Sequence, residues 1–187
     1  EKPLLDKYGN QINSIHNPHL LGFSSTYSNS ISNIIFHENI YKCLKDFYGE
    51  ANDKKFVHYQ SMHFDKSTAT KLHQDTWYLD THSRSLVGVW IALEDISDDC
   101  GPFCLYSNTS DKVHEFDAFN FEEIELDAKF LARSPRPERY DFHANKGDIL
   151  IWNSKIIHGA LRPLKDESTR KSLTSHYYPF GQKVNAG

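Results

Sequence analysis

The chain has 187 residues, with 21 Lys+Arg against 25 Asp+Glu and a formal net charge of −4. Hydrophobic residues make up 39% and aromatics 13%, with only 9 Gly and 7 Pro, which suits one folded domain and excludes a disordered or collagen-like chain. Mild acidity argues against nucleic acid or an anionic membrane as partner, the apolar runs predict neither a membrane span nor a secretory signal, and three cysteines in no paired spacing point to a reducing cytoplasm.

In chain order, the first thirty residues carry no usable motif. Ser30 to Tyr48 then places Ile31, Ile34, Ile35, Leu44 and Phe47 at helical spacings before Gly49, which predicts one helix over the core. Lys55 to Asp65 alternates, placing Phe56, His58, Gln60, Met62 and Phe64 on one face of a strand and Val57, Tyr59, Ser61 and His63 on the other. Polar side chains on both faces fit the wall of a binding cavity or an edge strand. Shorter strands are predicted at Leu86–Leu93, Phe103–Ser107, Tyr140–His143, Asp148–Asn153 and Lys171–Tyr178, separated by Gly- and Pro-bearing turns. Asp117 to Ala132 reads equally as a helix or a flap. The whole chain, 1–187, is expected to form a single domain: a helical or irregular buttress over 1–50 and, over 55–180, a mainly β core, an antiparallel double-sheet roll.

Eleven histidines are a surplus, and histidine is the commonest metal ligand. With 25 acidic residues present, one or two H-x-acid pairs arise by chance. Two occur, His63-Phe64-Asp65 and His73-Gln74-Asp75. Each could direct an imidazole and a carboxylate to one side, as a metal site completed by a distant His requires. The first ends a continuous strand, whereas the second follows the turn-like Asp65 to Thr70 and precedes Thr76-Trp77-Tyr78.

Four segments taken in order carry a resemblance. They are Leu72-His73-Gln74-Asp75-Thr76-Trp77-Tyr78; Val89 to Asp95 with Gly101-Pro102; Lys146-Gly147-Asp148 leading to Ile157-His158-Gly159-Ala160; and Arg170-Lys171-Ser172-Leu173 running to Tyr177. Across Gln60 to Pro179 the chain resembles the phytanoyl-CoA dioxygenase family, iron(II) and 2-oxoglutarate-dependent oxygenases that include ectoine hydroxylase. The resemblance implies a double-stranded β-helix (jelly roll, cupin-like) with flanking α-helices. It implies Fe(II), 2-oxoglutarate as cosubstrate and O2, and a small-molecule substrate; oligomeric state stays open.

The positions that match the family's facial triad are His73, Asp75 and His158, the second His arriving 85 residues (158 − 73) after the first. Two imidazoles and one carboxylate leave an iron three open positions. Arg170, twelve residues after His158, matches the cosubstrate anchor, where a planar guanidinium suits a carboxylate. Trp90 and Met62 match positions lining the cosubstrate pocket. Gln60 matches a substrate-facing position in ectoine hydroxylase-like members, and Trp77 and Tyr78 follow the ligands closely enough to reach a substrate. The remaining histidines, among them His58, His82, His114, His143 and His176, are expected to be structural or exposed.

Two departures stand out. The family's Pro-Gly-Ser-His turn is replaced by Phe103 to Ser110, and the small hydroxyl residue usual two places after the distal His is Ala160. Asp75 is retained where related halogenases carry Gly or Ala, so hydroxylation of an unactivated carbon is the expected reaction. A zinc hydrolase, an isomerase or a cupin-like binding module could use the same three ligands without redox chemistry.

Overall fold

The period-two segments of the sequence pair into two antiparallel sheets. The computed structural model describes residues 3–22, 24–49, 55–77, 85–111, 132 and 134–182. Its strands are β1 (Ile15–His16), β2 (Phe56–Phe64), β3 (Val87–Ala92), β4 (Phe103–Tyr106), β5 (Arg139–Phe142), β6 (Ile149–Asn153), β7 (Ile157–Ala160) and β8 (Ser172–Pro179). One sheet runs β1-β2-β8-β3-β6 and the other β5-β4-β7, and every pairing is antiparallel. Both sheets stay open. The double-sheet roll expected from the strand pattern is present; β7, over the segment that holds His158, completes its smaller sheet.

β3 lies between β8 and β6 and is buried along its whole length, which is why it reads as the continuous run Val-Gly-Val-Trp-Ile-Ala. Val87, Val89 and Ile91 meet Ile40, Leu44 and Tyr177 on one side of the sheet. Trp90 and Ala92 point the other way, into a cluster with Phe103 and Trp152 that joins the two sheets.

The predicted single helix is two: α1 (Ser25–Ile35) and α2 (Glu38–Tyr48). Ser24 caps α1 by accepting the Tyr27 N–H, and His37, in extended backbone, caps α2 by accepting the Asn39 N–H through Nδ1. The two helices are separated at Phe36–His37. Ile31 and Ile35 of α1 then pack on Leu173, while Ile40 and Leu44 of α2 pack on β3. A continuous apolar stripe cannot reveal such a break, because both halves keep the same period.

β2 also departs from its predicted faces. Its register against β8 slips between His58 and Gln60, a bulge at Tyr59. Phe56 and His58 consequently turn towards the helices, against Tyr48 and Tyr177, while Met62 and Phe64 turn between the sheets. The extra residue moves one half of the strand to the opposite face, which simple alternation does not anticipate.

Cys43, Cys100 and Cys104 are free thiols. No helix among the described residues is long and apolar enough to cross a membrane. Apart from Ala132, the segment Asp117 to Ala132 lies outside the described residues.

Two outcomes test this packing. Leu44 is buried under α2, so Leu44→Ala should cost about 2–5 kcal/mol in chemical denaturation. His58 lies among His19, Phe36 and Tyr177, its Nε2 has no hydrogen-bond partner among the described residues, and burial lowers its pKa to about 4. The unfolded chain therefore binds the extra proton between about pH 6.5 and pH 4, so stability is full above that window and falls as the pH drops through it. Replacing His58 by Phe should flatten this slope in denaturation midpoints measured from pH 7 to pH 4.

Candidate active site

A two-bond backbone bridge joins the distant halves of the site. The N–H of His73 donates to the carbonyl of His158 at 2.9 Å, and the N–H of His158 returns the bond to the carbonyl of His73 at 3.0 Å. This antiparallel contact sets the two rings 4.3 Å apart between centroids. Gly159 permits the approach, since a Cβ there would lie 2.8 Å from the carbonyl oxygen of Thr70. Asp75 begins the 3-10 turn Asp75–Trp77.

Both rings are fixed in the tautomer that a metal needs. Nδ1 of His73 lies 2.8 Å from the carbonyl oxygen of Lys71, and Nδ1 of His158 lies 2.9 Å from that of Ile156. A carbonyl only accepts, so each Nδ1 carries a proton and each ring keeps Nε2 as the atom it can offer to a metal. Both Nε2 atoms face Asp75 Oδ1, at 3.5 Å from His73 and 3.3 Å from His158. Burial alone would raise the Asp75 pKa, but the facing His158 and His176 rings hold it well below the ordinary carboxylate range; burial pushes His158 down. Two imidazole nitrogens and a carboxylate oxygen thus converge, a donor set that a cation takes up in place of protons. His73, Asp75 and His158 have one ligand atom each, all within 4.8 Å of one another, and among the described residues they form the one such group. Three ligands of this kind suit a non-haem iron(II) and leave positions open.

The first H-x-D pair is used differently. His63 Nδ1 contacts the Tyr27 hydroxyl at 3.1 Å, and Asp65 Oδ2 accepts the N–H of Gln11 at 3.1 Å. These contacts tie the N-terminal segment and α1 to β2.

The triad opens on a cavity of about 220 Å3 between the sheets. Met62 and Trp90, expected there, both line it, as do Phe64, Phe103, Ala160 and Thr174. Arg170 lines it too, only 3% exposed, and its Nε and Nη1 have no hydrogen-bond partner among the described residues. Its guanidinium lies 5.7 Å from the Phe64 ring, and burial lowers its pKa to about 10, which leaves it charged at neutral pH. A desolvated cation without a counterion is costly, and it is complementary to a carboxylate delivered by a ligand. Gln60 sits one step back from the cavity, with Nε2 3.4 Å from Nδ1 of His176. Tyr78 lies outside the described residues.

His176, expected to be structural or exposed, is buried at the site. It is 2% exposed, lines the cavity and places Nε2 3.3 Å from Asp75 Oδ2, a position beside the triad and neither remote nor exposed. A signal for it exists in the sequence, because Arg170, Thr174 and His176 follow one another at even spacing and all reach the cavity. Trp152 carries no such signal; its indole Nε1 donates to the same Asp75 Oδ2 at 2.9 Å. The altered loop after Phe103 is ordered by Thr109, which donates to the Tyr106 carbonyl and accepts the N–H of Ile157. The loop thereby supports the start of β7.

Several solved structures have the same fold. SnoK, a non-heme alpha ketoglutarate dependent carbocyclase from nogalamycin biosynthesis, is 18% identical with a TM-score of 0.71, covering 97% of this chain and 73% of its own. The epimerase SnoN, solved with Fe3+, alpha ketoglutarate and nogalamycin RO, is 12% identical with a TM-score of 0.64, covering 95% and 67%. HygX from Streptomyces hygroscopicus, solved with nickel and 2-oxoglutarate bound, is 18% identical with a TM-score of 0.58, covering 90% and 70%. The chain spans only 35% of the length of EvdMO1, another match. No curated protein matches the sequence. The family described as Phytanoyl-CoA dioxygenase (PhyH) matches residues 9–171, so the chain belongs to the phytanoyl-CoA dioxygenase family.

Proposed function

We propose that this chain, read as one oxygenase domain, is a non-haem iron(II) and 2-oxoglutarate-dependent dioxygenase that hydroxylates an unactivated carbon of a small metabolite. The observation that carries this reading is Arg170: a buried guanidinium in the cavity that the triad opens on, its Nε and Nη1 without a hydrogen-bond partner among the described residues. A zinc hydrolase, an isomerase or a cupin-like binding module with the same three ligands would have no use for it.

His73, Asp75 and His158 would hold the iron through Nε2, one carboxylate oxygen and Nε2. Bound iron(II) would couple the decarboxylation of 2-oxoglutarate, giving succinate and carbon dioxide, to oxidation of a C–H bond by dioxygen. Arg170 anchors the distal carboxylate of 2-oxoglutarate, and the Phe64 ring beneath the guanidinium holds it in place. Met62, Trp90 and Phe103 keep water from the reacting centre. Ala160 contributes no hydroxyl there, and Thr174 across the cavity carries one.

SnoK and SnoN are by name a carbocyclase and an epimerase, so this fold hosts outcomes beyond hydroxylation. Asp75 favours hydroxylation over halogenation, because its carboxylate fills the position that a halide would need. The lining mixes apolar rings with threonines and has one cation, Arg170, among the described residues. That suits a small metabolite better than an acyl-coenzyme A, whose phosphates call for a basic cluster. The free thiols are compatible with the cytoplasm.

Anaerobic addition of iron(II) and 2-oxoglutarate should produce a weak visible charge-transfer band in wild-type protein and none in Asp75→Ala. A folded wild-type protein without the band would exclude the proposed function. Arg170→Ala should raise the 2-oxoglutarate concentration needed for half-maximal succinate release about 30-fold or more, the cost of losing a buried charge partner. Normal turnover by that variant would remove Arg170 from the anchor role. Succinate release screened over amino acids, amines and carboxylates identifies the substrate class.

A further inference from the structure

Asp75 presents its two oxygens to different partners. Oδ1 faces Nε2 of His73 and Nε2 of His158, whereas Oδ2 accepts the indole N–H of Trp152 at 2.9 Å and lies 3.3 Å from Nε2 of His176. An ionised carboxylate only accepts, so the His176 Nε2 carries a proton and donates it to this bond. In a neutral ring Nδ1 must then accept, and the atom facing it at 3.4 Å is the amide nitrogen of Gln60, a donor. Donor and acceptor roles therefore agree along the whole path Gln60 to His176 to Asp75, with Trp152 entering from the other side.

Each member is held by packing. The indole of Trp152 packs against the stacked pair of rings of Phe103 and His158, at 4.9 Å and 5.0 Å between centroids. Its six-membered ring occupies the space over Gly88, the residue opposite it on β3, where an added Cβ would lie 2.2 Å from Cε2 and Cζ2. Glycine at 88 is thus what admits an indole at 152. His176 stands on β8 opposite both Gly88 and Gln60, so adjacent strands fix its position.

We infer that Trp152 and His176 are positioning residues that occupy Asp75 Oδ2 and so restrict this carboxylate to binding the metal through Oδ1 alone, with Gln60 setting the tautomer of His176. A carboxylate free to rotate could offer both oxygens and take a coordination position that the cosubstrate or dioxygen requires. The inference rests on the assignment of His73, Asp75 and His158 as ligands. It also gives Gln60 a role behind the metal ligand instead of against the substrate.

The test is anaerobic titration of the metal-free protein with cobalt(II), followed by its visible d–d absorption, alongside melting of each metal-free variant. Trp152→Phe keeps an aromatic ring but no N–H, and His176→Leu removes the second donor. Each should weaken cobalt(II) binding about 10–100-fold, while His176→Gln, whose amide can still donate, should stay near the wild type. The metal-free variants should melt close to the parent. Binding within about twofold of wild type for both Trp152→Phe and His176→Leu would overturn the inference, as would His176→Gln binding as weakly as His176→Leu. If Trp152→Phe does not fold, the contrast between the two His176 variants decides. A wild-type protein that binds no cobalt(II) would instead remove the ligand assignment itself, and this inference with it.

Discussion

Two backbone hydrogen bonds between His73 and His158 govern the rest of the site. They close a loop of 85 residues (158 − 73) and align two imidazoles whose Nδ1 protons are already committed to carbonyls of their own segments. Backbone pairing fixes ring position to within the play of one side-chain torsion pair, which side-chain packing alone does not. The small sheet secures this pairing from one side, because β4 pairs with β7 and Thr109 stitches its loop to Ile157, so that His158 is held from behind. The large sheet supplies the opposite wall, with Trp90, Trp152 and His176 on its inner face and the helices on its outer face.

Much of this was legible in the sequence. Strand positions followed from alternation, and the ordered segments from Leu72 to Tyr177 singled out His73, Asp75, His158 and Arg170, which the fold brings to one cavity. Local patterns could not show what depends on partners. The bulge at Tyr59 exists only relative to β8, so alternation alone assigns Phe56 and His58 to the face that belongs to Met62 and Phe64. The break at His37 preserves the helical period on both sides and is invisible to it. His176 and Trp152 reach Asp75 from 101 and 77 residues away, and no spacing links them; only the alternation of β8 from Arg170 hints at His176.

The buried guanidinium has an energetic consequence. Folding has already removed water from Arg170, whose Nε and Nη1 have no hydrogen-bond partner among the described residues, so its desolvation cost is borne by the fold. On the proposed anchor role, a carboxylate that pairs with Arg170 would stabilise the native state as well as fill the site.

The two histidines also differ in what surrounds them. The His158 side chain is 3% exposed and lies against Trp152 and Phe103, whereas that of His73 is 15% exposed. The centre accordingly has a floor and a rim. His158 belongs to the floor, sealed by aromatic rings; His73 belongs to the rim, beside Thr68 and Thr70, whose hydroxyls contact each other at 2.8 Å. Solvent therefore reaches the two ligand rings unequally, and His73 is the one whose ring exchanges with water more readily.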